Sequence, residues 1–188
     1  MVTLLLIGCL LTECSNAQQG ASPETIAKYM DPVVEGKYLN DSAWVISVAG
    51  DTIRASAFES KWLLVDYWTA GCIPCIKEFP ALDAYSQTID TTKINIIMLN
   101  IDQKKKRWEK AYKKHLYRMP SFYSGTSPMN KLLAINYQLI DNENGTKSII
   151  TSTPQYVLID PEGRIVDKDL PKPSSPDFKR IVRSYAEE

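Results

Sequence analysis

Histidine is almost missing from this chain. His115 is the only one, and no metal-binding residue stands at ligand spacing beside it. Cysteine is scarce as well: there are four, and two of these, Cys9 and Cys14, fall in the N-terminal leader. A structural zinc site needs four ligands, usually from a second Cys pair or a Cys/His pair. The remaining pair, in Cys72-Ile73-Pro74-Cys75, therefore reads as a redox dithiol rather than half a zinc site. Charge of one sign is missing too, since 22 Lys and Arg balance 22 Asp and Glu. No general attraction to nucleic acid or to an anionic membrane follows from that balance. There is no internal repeat, no low-complexity block and no long apolar run. Val2 to Leu11 is ten residues, well short of the roughly 20 that span a bilayer as a helix. The full 188 residues suit one domain with a proper core.

The stretch that is present and informative is Leu63 to Pro80. Leu63-Leu64-Val65-Asp66-Tyr67-Trp68 is too short for a lone helix and fits a central strand covered on both faces. Gly71 breaks it, and Cys72 then opens a helix with Cys75 one turn inside. N–H groups in a helix's first turn have no intrahelical partners and carry partial positive charge. A sulfur held there ionises more readily, and the thiolate is the attacking form. Pro74 costs little so early in a helix. Cys72 is the expected exposed nucleophile, and Cys75, facing inward, the thiol that resolves a mixed disulfide. Asp66 lies in the apolar strand, where an unpaired carboxylate is costly, so its pKa is expected to be raised.

Residues 1–17 read as a signal peptide or a lipoprotein leader. Ser15-Asn16-Ala17 resembles a cleavage site, while Leu6-Ile7-Gly8-Cys9 resembles a lipobox that would leave Cys9 as a lipid anchor. Residues 18–40 read as a linker and lead-in, and 41–188 as the folded domain. Ala43 to Val48, Ala49-Gly50-Asp51 and Thr52 to Ala55 form a hairpin pattern. Lys93 to Ile101 is a second buried strand, which implies a parallel right-handed crossover from the first. Asp102 is the expected N-cap of a helix over Gln103–Leu116, with Trp108, Ala111, Tyr112, His115 and Leu116 as its inward stripe. Asp102 to Met119 holds eight Lys or Arg and two acids. Such a run is either a dock for an acidic partner or phosphate headgroups, or a solvated helix face, and the second is the ordinary case. Ser121 to Ser127 reads as a loop, with a helix from Pro128 to Asn136. Asn142-Glu143-Asn144-Gly145 is a strong turn signal that makes 137–150 an extra hairpin or an extended loop. Ser152 to Val166 gives a strand entered by Thr153-Pro154, a Pro161-Glu162-Gly163 turn and a second strand. A closing helix follows from Pro176, with Phe178, Ile181, Val182 and Tyr185 inward.

These motifs resemble the active site of thioredoxin-fold thiol–disulfide oxidoreductases, and more closely the TlpA/ResA type of the bacterial envelope. Trp68 before the pair, Cys72-Ile73-Pro74-Cys75 itself and Pro80 after it agree in register. Asp66 falls where thioredoxins hold a buried acid, and Glu78 matches an acid of the TlpA/ResA branch. Gly71 departs from relatives that carry a large residue there. The resemblance implies an α/β, thioredoxin-like three-layer fold: a central mixed sheet, flanking helices and an added N-terminal β-hairpin. It also implies a cis Thr153–Pro154 bond facing the dithiol, and substrate contact through Trp68, Ile73, Pro74, Thr153 and Pro154. Asp66 would shuttle a proton to and from Cys75, and Glu78 would tune the thiols by its charge. No cofactor beyond the dithiol is implied. The partners implied are protein disulfides and a membrane electron donor, with periplasmic or lipid-anchored placement and a role in cytochrome c maturation. No histidine lies between the cysteines, as it does in strongly oxidising relatives, which favours a reductase. A copper-binding module using the same two thiolates is the competing reading.

Overall fold

The computed structural model describes residues 42–115, 119–127, 129–145 and 147–186. The leader expected at 1–17, with Cys9 and Cys14, and the linker expected at 18–40 lie outside the described residues, as do Leu116 and Pro128.

The central strand forms where its apolar run places it. β3 (Trp62–Trp68) is buried from Leu63 onward. Successive side chains of a strand point to opposite faces, and β3 divides accordingly. Leu63, Val65 and Tyr67 join one core cluster, and Leu64 and Trp68 join the other. β4 (Ile94–Asn100) runs parallel to β3, from Trp62 opposite Ile94 to Trp68 opposite Asn100. The connection between them is α1 (Ile73–Ser86), as a parallel pair requires. β8 (Gln155–Ile159) pairs antiparallel on the other side of β3 and carries β9 (Ile165–Asp167) at its outer edge. The β8–β9 turn is held by buried Asp160. It accepts from the Arg164 backbone N–H at 2.7 Å and from Arg164 Nε at 2.6 Å.

Beyond β4 lies β5 (Ser121–Tyr123), and the hairpin of β1 (Trp44–Ile46) and β2 (Thr52–Arg54) joins it through Ile46 opposite Tyr123. The result is a seven-stranded mixed sheet of order β2-β1-β5-β4-β3-β8-β9. One face is covered by α1, α2 (Lys105–Lys114) and α4 (Pro176–Ala186), which contribute Phe79 and Leu82, Trp108, and Phe178 and Val182 to a shared core. The other face receives Leu132 of α3 (Lys131–Ala134) with Ala43, Val45 and Ala55. The expected three layers and added hairpin are therefore present. The 137–150 insertion forms its own two-stranded sheet, β6 (Tyr137–Asp141) with β7 (Lys147–Thr151), turned at Gly145 with φ +77°.

Four expectations are corrected. Ser121 to Tyr123 is a sheet strand, not loop: Met98 and Ser121 stand opposite each other, and Trp108 Nε1 donates to Ser121 Oγ at 2.9 Å. Three residues are too few to show a period, so neighbours decide their state. The helix expected over Gln103–Leu116 is shorter, and Asp102 does not cap it. Lys104 takes the cap position without a side-chain bond, because the Asp102 carboxylate is engaged elsewhere. The helix expected from Pro128 narrows to Lys131–Ala134, opened by Asn130, whose side chain accepts from the Leu132 N–H. Tyr185 is exposed and lies against Trp62, ring centroids 6.1 Å apart, rather than entering the core.

Candidate active site

α1 begins at the first cysteine because that residue can finish the helix end. Cys72 is the N-cap, with extended φ/ψ of −79° and 92°, and its Sγ accepts from the Cys75 N–H at 3.1 Å. The Cys72 carbonyl accepts from the Ile76 N–H at 3.1 Å. Pro74 sits in the first turn, where no backbone donor is lost. Cys72 and Cys75 are joined as a disulfide with Cα atoms 5.3 Å apart. Cys72 is 8% exposed and Cys75 is fully buried. The order of access is the expected one, but Cys72 is a recessed sulfur rather than an open one. Its bond to the Cys75 N–H ties it to the helix end. The side chain that projects is Ile73, 66% exposed between the two cysteines.

Trp68 and Tyr156 share the core cluster of the cysteine pair, and Nε1 of Trp68, the hydroxyl of Tyr156 and both carboxylate oxygens of Asp66 are buried with no hydrogen-bond partner among the described residues. Asp66 and Tyr156 stand opposite each other across β3 and β8. Burial pushes the Asp66 carboxyl well above the usual carboxylate range, and the charge of Glu78 pushes it further. Tyr156 is raised by burial and then by Asp66 and Glu78. Glu78 itself is held from outside, accepting from Ser174 N–H and Ser174 Oγ, each at 2.9 Å. Its field thus reaches Asp66 from the helix side.

Trp68 is 2% exposed and meets Phe79 edge-on at 5.3 Å. It shares a buried cluster with both cysteines, so it supports the site from within and is not on the surface that substrate contact would need. Its strand ends before the turn to Cys72, and that end stays inside the sheet. The Thr153–Pro154 bond is cis. It opens β8 where Gln155 pairs with Tyr67, which puts it at the end of the sheet from which the chain leaves β3 for Cys72. Asn136 steadies this segment, donating to Ser152 O at 2.7 Å and to Gln155 Oε1 at 2.6 Å.

Three participants escaped the sequence reading of the site: Tyr156, Asp102 and Arg107. Tyr156 looks like one more apolar strand residue until the β3–β8 register is known. The Asp102 carboxylate is buried and accepts from the Ala70 N–H at 2.6 Å and from Asn100 Nδ2 at 3.0 Å. It thereby fastens the loop that leads to Cys72. Its other oxygen meets Arg107 Nε at 3.3 Å. Among the described residues, no group of three or more His, Cys, Asp or Glu is placed to hold a metal ion. His115 instead lines a small cavity with Trp68, Phe79, Met98 and Tyr112.

Comparison with known proteins agrees with this architecture. The thioredoxin domain of a thiol-disulfide oxidoreductase from Bacteroides vulgatus superposes with a TM-score of 0.61 at 24% identity, covering 81% of this chain and 98% of that one. A thiol:disulfide interchange protein from Bacteroides sp. gives 0.63 at 23% identity, covering 82% and 91%. At such identities the likeness establishes the fold, which is thioredoxin-like. A thioredoxin from Streptomyces clavuligerus is 40% identical over 58 residues, 30% of this chain and 52% of that protein, so the chain spans about half the length of this curated relative. The AhpC/TSA family model matches residues 39–168, which runs from ahead of the N-terminal hairpin to the end of β9, and the chain belongs to the AhpC/TSA family.

Proposed function

We propose that this chain is a thiol–disulfide oxidoreductase of the TlpA/ResA type that reduces protein disulfides in the bacterial envelope. The observation that carries the reading is the disulfide at the start of α1, with Cys72 at the helix cap and Cys75 sealed behind it. In the reduced form, the Cys72 thiolate attacks one sulfur of a substrate disulfide. That S–S bond breaks, the leaving thiolate takes a proton from water, and a mixed disulfide forms. Cys75 then loses its proton to the Asp66 carboxylate and attacks Cys72 Sγ. The second substrate thiolate leaves, and the Cys72–Cys75 bond is restored with substrate reduced by two electrons. A carboxyl whose pKa is raised is a better proton acceptor than an ordinary one, which suits Asp66 to this step.

Ile73 and Pro74, exposed at the helix start, and Thr153 and Pro154 at the mouth of β8 form the substrate-facing rim. The apolar leader supports export, with Cys9 as the lipid anchor if the lipobox is used. A membrane dithiol protein then regenerates the reduced form, and apocytochrome cysteines or other envelope proteins are the substrates. Cu(I) carriage by the two soft thiolates is the less favoured reading, with no third metal-binding side chain grouped with them among the described residues.

Insulin reduction, run beside Cu(I) titration and a measurement of the reduction potential against glutathione, tests the proposal. Turnover that is lost in Cys72→Ser, with a reducing potential, supports it. Stable Cu(I) binding without turnover overturns it, and a potential like that of a strong oxidant overturns the reductase direction.

A further inference from the structure

The basic run of α2 is mostly a solvated face, but Arg107 differs from the rest of it. Gly71, directly before Cys72, has no side chain, and a Cβ built there would lie only 3.2 Å from Arg107 Nη2. The tip of the guanidinium therefore lies beside the residue that precedes the nucleophile, close enough that a side chain at 71 would press on it. It is paired from behind: Nε faces the buried Asp102 carboxylate at 3.3 Å, while the Arg107 side chain keeps 59% exposure. The same carboxylate bonds the Ala70 N–H, so the cation and the loop carrying Cys72 share one anchor. The neighbouring charges leave an excess of positive sign. Lys104, Lys106 and Lys110 are exposed, and Glu109 pairs with Lys105 at 3.6 Å.

From this arrangement we propose that Arg107 is a specificity-determining residue, selecting substrate disulfides that carry an acidic side chain beside the cystine. An incoming carboxylate meets the free edge of the guanidinium, whose planar donors match it bidentately. The approach that makes this contact brings the neighbouring sulfur to Cys72. The inference rests on the oxidoreductase reading for its substrate, but the placement of the cation beside Cys72 stands apart from turnover.

Alkylation of the reduced protein separates the two. Rates are measured with iodoacetate, which is anionic, and iodoacetamide, which is neutral. Arg107→Gln is expected to lower the ratio of the two rates about three- to fivefold, the strength of an exposed ion pair, with Arg107→Lys, which keeps the charge but not the planar fork, restoring only part of it. An unchanged ratio, or equal slowing with both reagents, overturns the proposal, because the charge then acts on the thiol or the fold rather than on the incoming group. Disulfide-bonded peptides with Asp, Ser or Lys beside the cystine provide the second arm. Preference for Asp that disappears in Arg107→Gln supports the proposal, and equal kcat/KM for all three peptides overturns it. If no peptide is reduced, the oxidoreductase reading fails and takes the substrate claim with it, while the alkylation ratio still decides where the cation acts.

Discussion

Asp66 and Tyr156 face each other across the β3–β8 pair, and neither side chain has a hydrogen-bond partner among the described residues. An unsatisfied buried polar group costs about 1–3 kcal/mol, and here two share one face of the sheet with Cys75 in the same cluster as Tyr156. The site thus holds polar groups that the fold would be more stable without.

The first consequence concerns pH. The folded pKa of Asp66 is raised above its unfolded value by burial and by Glu78. The folded state therefore binds the Asp66 proton more tightly than the unfolded chain does. Its contribution to stability is fully present below the unfolded pKa and is lost as pH rises toward the folded pKa. Within that window, wild type should lose about 1.4 kcal/mol per pH unit relative to Asp66→Asn. Urea denaturation of both proteins from pH 4 to pH 8 checks this: parallel curves would show that Asp66 is paired in solution. The same variant should reduce insulin more slowly near neutral pH.

Tyr156→Phe removes the partnerless hydroxyl and keeps the ring that meets Phe178 at 5.9 Å. Stability should rise by about 1 kcal/mol, read from the midpoint of urea unfolding. A fall instead would mean that the hydroxyl is satisfied in solution.

Asp102→Ala should loosen the approach to Cys72. It deletes the acceptor for the Ala70 N–H and for Asn100 Nδ2 together with the Arg107 partner. A loss of about 2–3 kcal/mol is expected for a buried charged acceptor of several bonds. Hydrogen exchange at Ala70 should speed up more than at β3 residues, and uniform acceleration across the sheet would contradict the local anchor.

Phe178→Ala tests the core on the α4 side. The ring is fully buried and packs edge-on with Tyr85 at 5.3 Å as well as with Tyr156. Truncation should cost about 3–5 kcal/mol, measured by denaturant unfolding, with the far-UV spectrum retained.

The Cys75→Ser variant should stop the reaction halfway. Cys72 can still attack, but no second thiol resolves the product, so a mixed disulfide with substrate should accumulate on non-reducing gels. Its absence would remove Cys72 from the role of nucleophile.

Much of this was legible in the residues. A run of six apolar-rich positions, a glycine and a Cys-x-x-Cys with an early proline dictate a buried strand entering a helix at a sulfur. Strand period and helix capping are local rules, so they act through near neighbours in the chain. The N-terminal hairpin and the turn at Asn142 to Gly145 were readable for the same reason, since turn residues mark them directly, whereas the pairing of β6 with β7 was decided by the structure. The tertiary structure decided what depends on distant partners. Ser121 to Tyr123 became a strand because β4 and β1 offered unpaired edges on both sides. Asp102 left the helix cap because the Ala70 N–H and Arg107 gave its carboxylate better partners, and Tyr156 met Asp66 only through a cross-strand register. Chemistry carried by adjacent residues is written in the sequence. The surroundings that set charge, burial and access at Cys72 come from chain segments tens of residues away, and only packing brings them there.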